Sequence, residues 1–472
     1  IGSTCWGFIG GGACNTGSAP NVVVAGGRLN NASGDCSAIL GGCGNSVNNK
    51  GSAIVAGECN IIINSGSHNF IGSGFSNLIS GSGTTYVSGS AIASGKNNTI
   101  KCCFSFIGAG QSNATTGSYN FIGGGFGNHT RNFHDVIVGG ICNRACTPFT
   151  GCNFIGGGFC NIIQSCNGRG FIGGGCRNIV CSDCSTIVGG TSNTIFHGTF
   201  NSTIVGGSTN CVCGNTSFIG AGSCNLTIGG GGNVIVSGFR NKAIGFRVFI
   251  GNGAYNTGSQ YTGIAAGLRN VANNYSFIGS GQRNQASNCS SVGSGCFNTG
   301  SCRSAVGSGC SNYAHLYSFI GSGNDNTSTG RASSVVSGYS NSTNAVASGI
   351  LGGCNNTITH TKSFVVGSNL TSTATCTTFM NNGVITCSLT VGCTNRISTT
   401  VGRIDAKNDV VAFSTSDRRL KENIQPIDNA LCKVIGVSGN TFNWKSLSEE
   451  EVKTIHGNTG RDVGVIAQEI EE

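Results

Sequence analysis

From Phe8 to Gly367 the chain keeps returning to one short phrase: two apolar residues, a Gly-x-Gly step, and often an Asn three residues later. "SFIGSGQRN" at Ser276–Asn284 and "SSVGSGCFN" at Ser290–Asn298 are two instances. Aligned on the second Gly, the phrase recurs 24 times between Gly12 and Gly367, mostly at spacings of 14 or 15 residues that stretch to 21 between Gly74 and Gly95. A period this short cannot hold a helix pair, and apolar bursts of two or three residues between Gly and Asn corners suit short strands. The pattern predicts a β-solenoid with one coil per repeat, in which one loop per coil absorbs the insertions. A lone coil cannot bury its own apolar face, whereas a stack gives each coil two neighbours. At about 4.8 Å per coil the shaft would be about 115 Å long. Asn is expected at the corners because it tolerates left-handed backbone. Phe8, Phe70, Phe106, Phe121 and their counterparts up to Phe364 open the strand in many coils. They are expected inside the coil or between chains, with a core role favoured over a ligand platform.

Composition narrows the class further. Of 472 residues 81 are Gly, only 9% are charged and three are Pro, which argues against both collagen and a Pro-rich stalk. Charge divides near Ile404. Residues 1–404 carry 18 Lys and Arg against five acids, and residues 405–472 carry 8 against 12. The basic residues of the first part are scattered singly, so no nucleic-acid partner is expected. No apolar run approaches the roughly 20 residues of a membrane helix, so no membrane insertion is expected. The start at Ile1, without Met or signal peptide, reads as a processed chain or a fragment.

Twenty-six of the 27 Cys precede the charge boundary, and several fall one or two positions after the second Gly of a coil. Cys142 with Cys160, and Cys296 with Cys310, hold identical positions in adjacent coils, so their Cα atoms are expected about 5 Å apart, within disulfide range. Stapling and reduced packing thiols are weighted equally. Cys181, Cys184, Cys211 and Cys213 could be read as four zinc ligands, but their spacing fits coil repetition better than a zinc ribbon. No metal or cofactor is expected. The isolated His residues read as loop residues, and the Asn-x-Ser/Thr sequons follow from corner Asn by chance. Glycoside hydrolysis needs two facing carboxylates. Of the five acids before the boundary, only Asp35 and Glu58 lie within two coils of each other, so the shaft is not expected to be an enzyme.

Four coils from Ser276 to Gly323, "SFIGSG", "SSVGSG", "SAVGSG" and "SFIGSG", step by fourteen residues. They resemble the head repeats of trimeric autotransporter adhesins, and that resemblance implies a left-handed β-roll of three intertwined chains. After Gly367 come Thr-rich, strand-like segments that read as a neck, and then "SDRRLKENIQPIDNAL", where the composition turns globular. By itself "SDRRLK" fits a helix start capped by Ser416, with Lys421 solvated. Together with "FNW" at Phe442–Trp444 and "DVGVIAQEIEE" at Asp462–Glu472, the stretch closely resembles the start of the peptidase S74 domain, the intramolecular chaperone of endosialidase-type tailspikes and related viral fibres. The resemblance implies a trimerising chaperone that cuts itself off at the Ser416–Asp417 bond, with Ser416 as nucleophile and Lys421 as the base that takes its proton. It also implies that Gln468 or Glu469 helps shape the site, and that the family's domain continues beyond Glu472.

The sequence therefore reads as an all-β homotrimer with a small α+β C-terminal module. Residues 1–369 form the solenoid shaft, 370–415 a β-rich neck, and 416–472 the start of the chaperone. The favoured function is a structural fibre or spike on a virion surface, attached to a host-surface glycan or receptor. The alternatives are a microbial cell-surface adhesin and a carbohydrate-degrading spike with a site between subunits.

Overall fold

A computed structural model describes residues 6–63, 66–81, 87–147, 151–165, 167–381, 388–391, 403–406, 422–426, 428–443 and 461–466. Two compact units divide at Gly383 and Val384. The first is the β-solenoid. Each coil contributes one two-residue strand such as Phe106–Ile107 to a 25-stranded parallel sheet, and a second such as Ala114–Thr115 to another parallel ladder. Single bridges between equivalent residues of neighbouring coils, such as Gln111 with Phe126, form a third line. Register is strict, with Phe106 opposite Phe121 and Ile107 opposite Ile122. Insertions sit between the paired segments. The 21-residue step between Gly74 and Gly95 still leaves Phe70 opposite Ala91.

In these short strands one side chain points in and the next points out. Ile39, Ile54, Ile71, Ile107, Ile122 and Ile137 are fully buried and stack coil upon coil. The Phe residues go the other way. Phe70, Phe106, Phe121 and Phe171 precede buried Ile residues but face outward and remain about 40% exposed. A coil of 14 or 15 residues encloses a narrow interior that β-branched side chains fill, and it has no width for a ring on every level. Of the two places expected for Phe, the one inside the coil is therefore corrected: the rings stack along the outer surface, as Phe106 does on Phe121 at 5.6 Å and Phe154 on Phe171 at 5.2 Å.

The corner Asn also does something other than expected. Left-handed backbone is taken by the residue before it, for instance Ser112 at φ 59°, while Asn113 itself is fully buried. The Asn113 amide donates to Ala109 O at 3.1 Å and to Gly125 O of the next coil at 3.0 Å, and its Oδ1 accepts the Asn128 N–H at 3.0 Å. This link repeats in every coil from Asn15 to Asn356, where the Leu370 N–H closes the series. Buried polar groups require partners, and the ladder supplies them without water. Gly110 explains the neighbouring glycine: at φ 96°, a Cβ there would lie 2.1 Å from Gly125 O and 2.7 Å from the Asn113 amide nitrogen. Only Gly fits.

A second internal ladder runs down the corner before the first strand. Ser90 Oγ accepts the Ser105 N–H, Ser105 Oγ the Asn120 N–H, and Asn120 Oδ1 the Asp135 N–H. Asp135 Oδ1 in turn accepts the Asn153 N–H.

The second unit is described in part. Strand Ser388–Val391 pairs parallel with Arg403–Ala406, helix Ala430–Gly436 follows, and Gly439–Asn443 pairs antiparallel with Arg461–Val465.

Candidate functional site

The residues to which the sequence assigns chemistry, Ser416, Asp417 and Lys421, lie outside the described residues, as do Gln468 and Glu469. Other parts of the same C-terminal unit are described. The strand holding Thr441, Phe442 and Asn443 lies antiparallel to the strand holding Arg461, Asp462 and Val463, with Phe442 opposite Asp462 and Gly439 opposite Val465. The "FNW" and "DVGVIAQE" stretches, separated in sequence, thus begin as neighbouring strands. A Cβ on Gly464 would stand 3.4 Å from Phe442 Cε1, so the ring lies beside this glycine. Helix Ala430–Gly436 buries none of its residues, and Leu431, Val434 and Ile435 are each at least 70% exposed.

In the shaft, acids are dispersed over different roles. Asp35 pairs with Lys50 at 3.8 Å, whereas Glu58 sits in the bridge line between Cys43 and Phe75, so the two nearest acids do not form a facing pair. Asp135 is fully buried as a rung of the second internal ladder. It accepts from the Asn153 side-chain amide at 2.8 Å and from the Asn132 N–H at 3.3 Å. Burial pushes its carboxyl above the ordinary range, and those hydrogen bonds oppose the shift. Its role is structural.

The four cysteines considered as zinc ligands are not brought together. Cys181 and Cys213 occupy coils two apart, and the N–H···O series places Phe196 in the coil between them. Among the described residues no group of three or more His, Cys, Asp or Glu could hold a metal ion. Cys211 and Cys213 point outward on either side of buried Val212, their sulfurs 3.5 Å apart. Burial, then the hydrogen bond with Cys213, pushes the Cys211 thiol up to about 12. All described cysteines are free thiols. Cys296 and Cys310 are bridge partners with sulfurs 2.8 Å apart, and Cys160 shares a hydrogen bond with Cys142.

The outer face of the first sheet carries an apolar strip over many coils, built on the Phe residues for which the sequence left a place between chains open. Two outward positions flank the buried residue of each strand. Phe pairs with Gly two residues on, as in Phe121/Gly123, Phe171/Gly173, Phe218/Gly220 and Phe319/Gly321. Other coils differ: Ala38/Leu40, Thr186/Val188 and Gly349/Leu351 carry the larger residue second, whereas Gly263/Ala265, Ser291/Gly293 and Ala305/Gly307 carry no large residue at either position. A Cβ on Gly123 would come within 2.3 Å of the Val138 carbonyl oxygen in the next coil and 3.4 Å from Phe121 Cε1, so this Gly packs against both.

Comparison with known proteins adds one match. Residues 416–472 match the peptidase S74 family, described as the chaperone of endosialidase. No curated protein matches the chain. Among the described residues no helix is long and apolar enough to cross a membrane.

Proposed function

We propose that this chain, a β-solenoid followed by a chaperone-of-endosialidase segment, is one subunit of a homotrimeric virion fibre that attaches to the host surface outside the cell. In this reading residues 1–369 are the shaft, 370–415 the neck and 416–472 the chaperone, which aligns three chains and then cuts the Ser416–Asp417 bond. Ser416 attacks, and Lys421 takes its proton. The observation that carries the reading is the apolar strip. A monomer rarely exposes large apolar patches, and outward Phe rings repeated on one face of many coils form one that a partner would cover. Three copies of one chain, set side by side by a shared chaperone, satisfy that requirement with identical surfaces. The exposed apolar side chains of helix Ala430–Gly436 favour the same reading in the second unit.

The test is the mass of the full chain by sedimentation, together with a charge placed in the strip. Phe171→Asp puts a carboxylate on the outward face beside buried Ile172 and is expected to weaken the trimer by about 1–3 kcal/mol. Phe171→Leu keeps that face apolar and is expected to leave the chain trimeric. A stable monomer, or a Phe171→Asp chain as trimeric as native, overturns the trimeric reading.

A further inference from the structure

Between the second strand of one coil and the first strand of the next, as from Thr257–Ser259 to Gly263–Ile264, five consecutive coils turn through a corner of two left-handed residues. These are Gln260–Tyr261, Asn274–Tyr275, Asn288–Cys289, Cys302–Arg303 and Leu316–Tyr317, all with φ between 47° and 63°. Their N–H groups bond the corner carbonyls of the preceding coil, as Cys289 to Asn274 O and Arg303 to Asn288 O at 2.9 Å, so the second residues form a ladder of side chains on the surface. Large groups fill nearly every rung. Arg247 lies over the Tyr261 ring, Tyr261 stacks on Tyr275 at 4.9 Å with parallel planes, Arg303 and Arg331 lie over Tyr317, and Arg303 also donates to the Tyr317 hydroxyl. Cys289 is the exception.

One small residue in a ladder of rings and guanidinium groups leaves a missing rung. A cleft of about 380 Å³ opens there, lined by Tyr275 and Arg303 from the rungs on either side, by Asn274, Asn288 and Cys302 of the same corners, and by Cys289 and Tyr317. At the spacing of stacked coils the walls are about 10 Å apart, which leaves room for one ring-sized group between them. Tyr275 is 63% exposed and held from behind by Tyr261, so it presents a fixed apolar face. Arg303 hydrogen-bonds Tyr317 on one side and Cys289 on the other, and the ion pair between described side chains is Lys50 with Asp35, so no described carboxylate neutralises it.

We propose that this notch binds a pyranose ring that carries a carboxylate. The apolar C–H face of the sugar lies on Tyr275, its hydroxyls meet the Asn288 amide, and its carboxylate takes the Arg303 fork. A flat aromatic guest would cover Tyr275 but leave the Asn288 amide and the guanidinium unmet. The site rests on the reading of the shaft as an attachment surface, and gives that surface a ligand class.

The experiment uses the full chain and two probes, methyl β-D-glucuronide and methyl β-D-glucoside, followed by saturation-transfer NMR. The glucuronide is expected to bind, with the glucoside about tenfold weaker. Cys289→Tyr restores the missing rung with a residue the ladder already uses, and is expected to abolish binding while the melting curve stays unchanged. Arg303→Gln is expected to remove the preference between the probes and leave weak binding to both. Glucuronide binding that survives Cys289→Tyr, or no binding by the native chain, overturns the proposal. Adsorption of the native fibre to host cells is measured in parallel. Adsorption without glucuronide binding sinks the notch and spares the attachment reading, whereas glucuronide binding without adsorption does the reverse.

Discussion

The shaft and the C-terminal unit use their residues in opposite ways. In the shaft almost every position is answered by an equivalent position one coil away: Ile107 lies opposite Ile122, and Asn113 accepts from Asn128. Stability is a sum over neighbours, and no coil is unique. The second unit has no such redundancy. It holds 12 of the 17 acids in its last 68 residues, its described helix is exposed, and the cleavage proposed for it falls on a single Ser–Asp bond. Repetition makes a surface and a rod, and a reaction has to be placed where the repeat stops.

The contrast is broken most completely at Ser416. Expression through the end of the chaperone is expected to yield a fragment that begins at Asp417, read by mass and N-terminal sequencing. Ser416→Ala or Lys421→Ala is expected to leave the chain joined, an all-or-none effect, while the trimer still assembles, since alignment needs the chaperone's fold and cutting needs only the nucleophile and its base. Processing of Ser416→Ala at the same bond would return "SDRRLK" to a capped helix start. Leu431→Asp, in the exposed helix, is expected to act the other way, lowering trimer yield without changing the melting of shafts that do form.

Within the shaft a single rung is expected to matter more than its exposure suggests. Asn178 donates to Gly174 O and Gly190 O and accepts the Asn193 N–H, all in a dry interior. Asn178→Ala leaves Gly174 O and the Asn193 N–H without partners, while Gly190 O keeps the Cys176 N–H, and is expected to cost about 2–3 kcal/mol. Denaturant unfolding measures it, and protease cleavage is expected to appear near coil 178. A cost below about 0.5 kcal/mol would mean that the ladder is decoration on a fold held by Ile alone.

How much of this was legible follows from what periodicity can carry. Gly12 to Gly367 gave the number of coils, and the pair before each glycine gave the strands, because both are written in every repeat. Which member of a pair points inward was not readable from hydrophobicity, since Phe and Ile are comparably apolar and only the width of the coil decides between them. The Asn positions were plain, but their bonds were not: a corner Asn and a buried ladder Asn have the same spacing. The second ladder escaped notice because Ser, Asn and Asp alternate in it. The notch was invisible for a deeper reason, in that Cys289 signifies something only against its neighbours Tyr275 and Arg303 two rungs apart. Residues 416–421 were singled out by resemblance, and they stay a matter for the cleavage experiment.

A smaller effect separates the two pairs of facing thiols from the rest of the cysteines. Cys296 shares a proton with Cys310, which raises its thiol above the usual range. Glutathione disulfide is expected to take two electrons from this pair, forming the Cys296–Cys310 bond and two molecules of glutathione with the two protons released to them. The rate is expected to rise with pH, because the attacking species is the thiolate. Intact mass with alkylation, before and after reduction, counts the bonds, with Cys142 and Cys160 as the next pair. Full alkylation without reductant after this treatment would assign the cysteines to packing. The oxidised shaft is expected to unwind more slowly, whereas Cys432 in the second unit has no equivalent a coil away to join.

The smallest expected effect concerns Asp135, where the shaft admits a charge into a ladder otherwise built of neutral groups. Burial raises its carboxyl pKa in the folded state. Between the ordinary carboxylate value and that raised value the folded chain binds more protons than the unfolded one, so stability falls as pH climbs through the window. The melting temperature of the native shaft is therefore expected to decline from about pH 4 towards neutrality by a degree or two beyond any general trend. Asn120 and Asn153 occupy the same rung in the coils on either side, and Asn153 already uses its Oδ1 to accept the Gly170 N–H. Asp135→Asn thus keeps the acceptor that the ladder needs and removes the charge that burial penalises. Its melting temperature is expected to be flatter with pH and higher than native near neutrality. The opposing term is the loss of acceptor capacity, since the carboxylate also takes the Asn132 N–H that an amide NH₂ would face as a second donor. A variant that melts lower than native by the same amount at every pH would mean that this donor conflict outweighs burial, and that the shaft holds the ionised carboxylate at no cost.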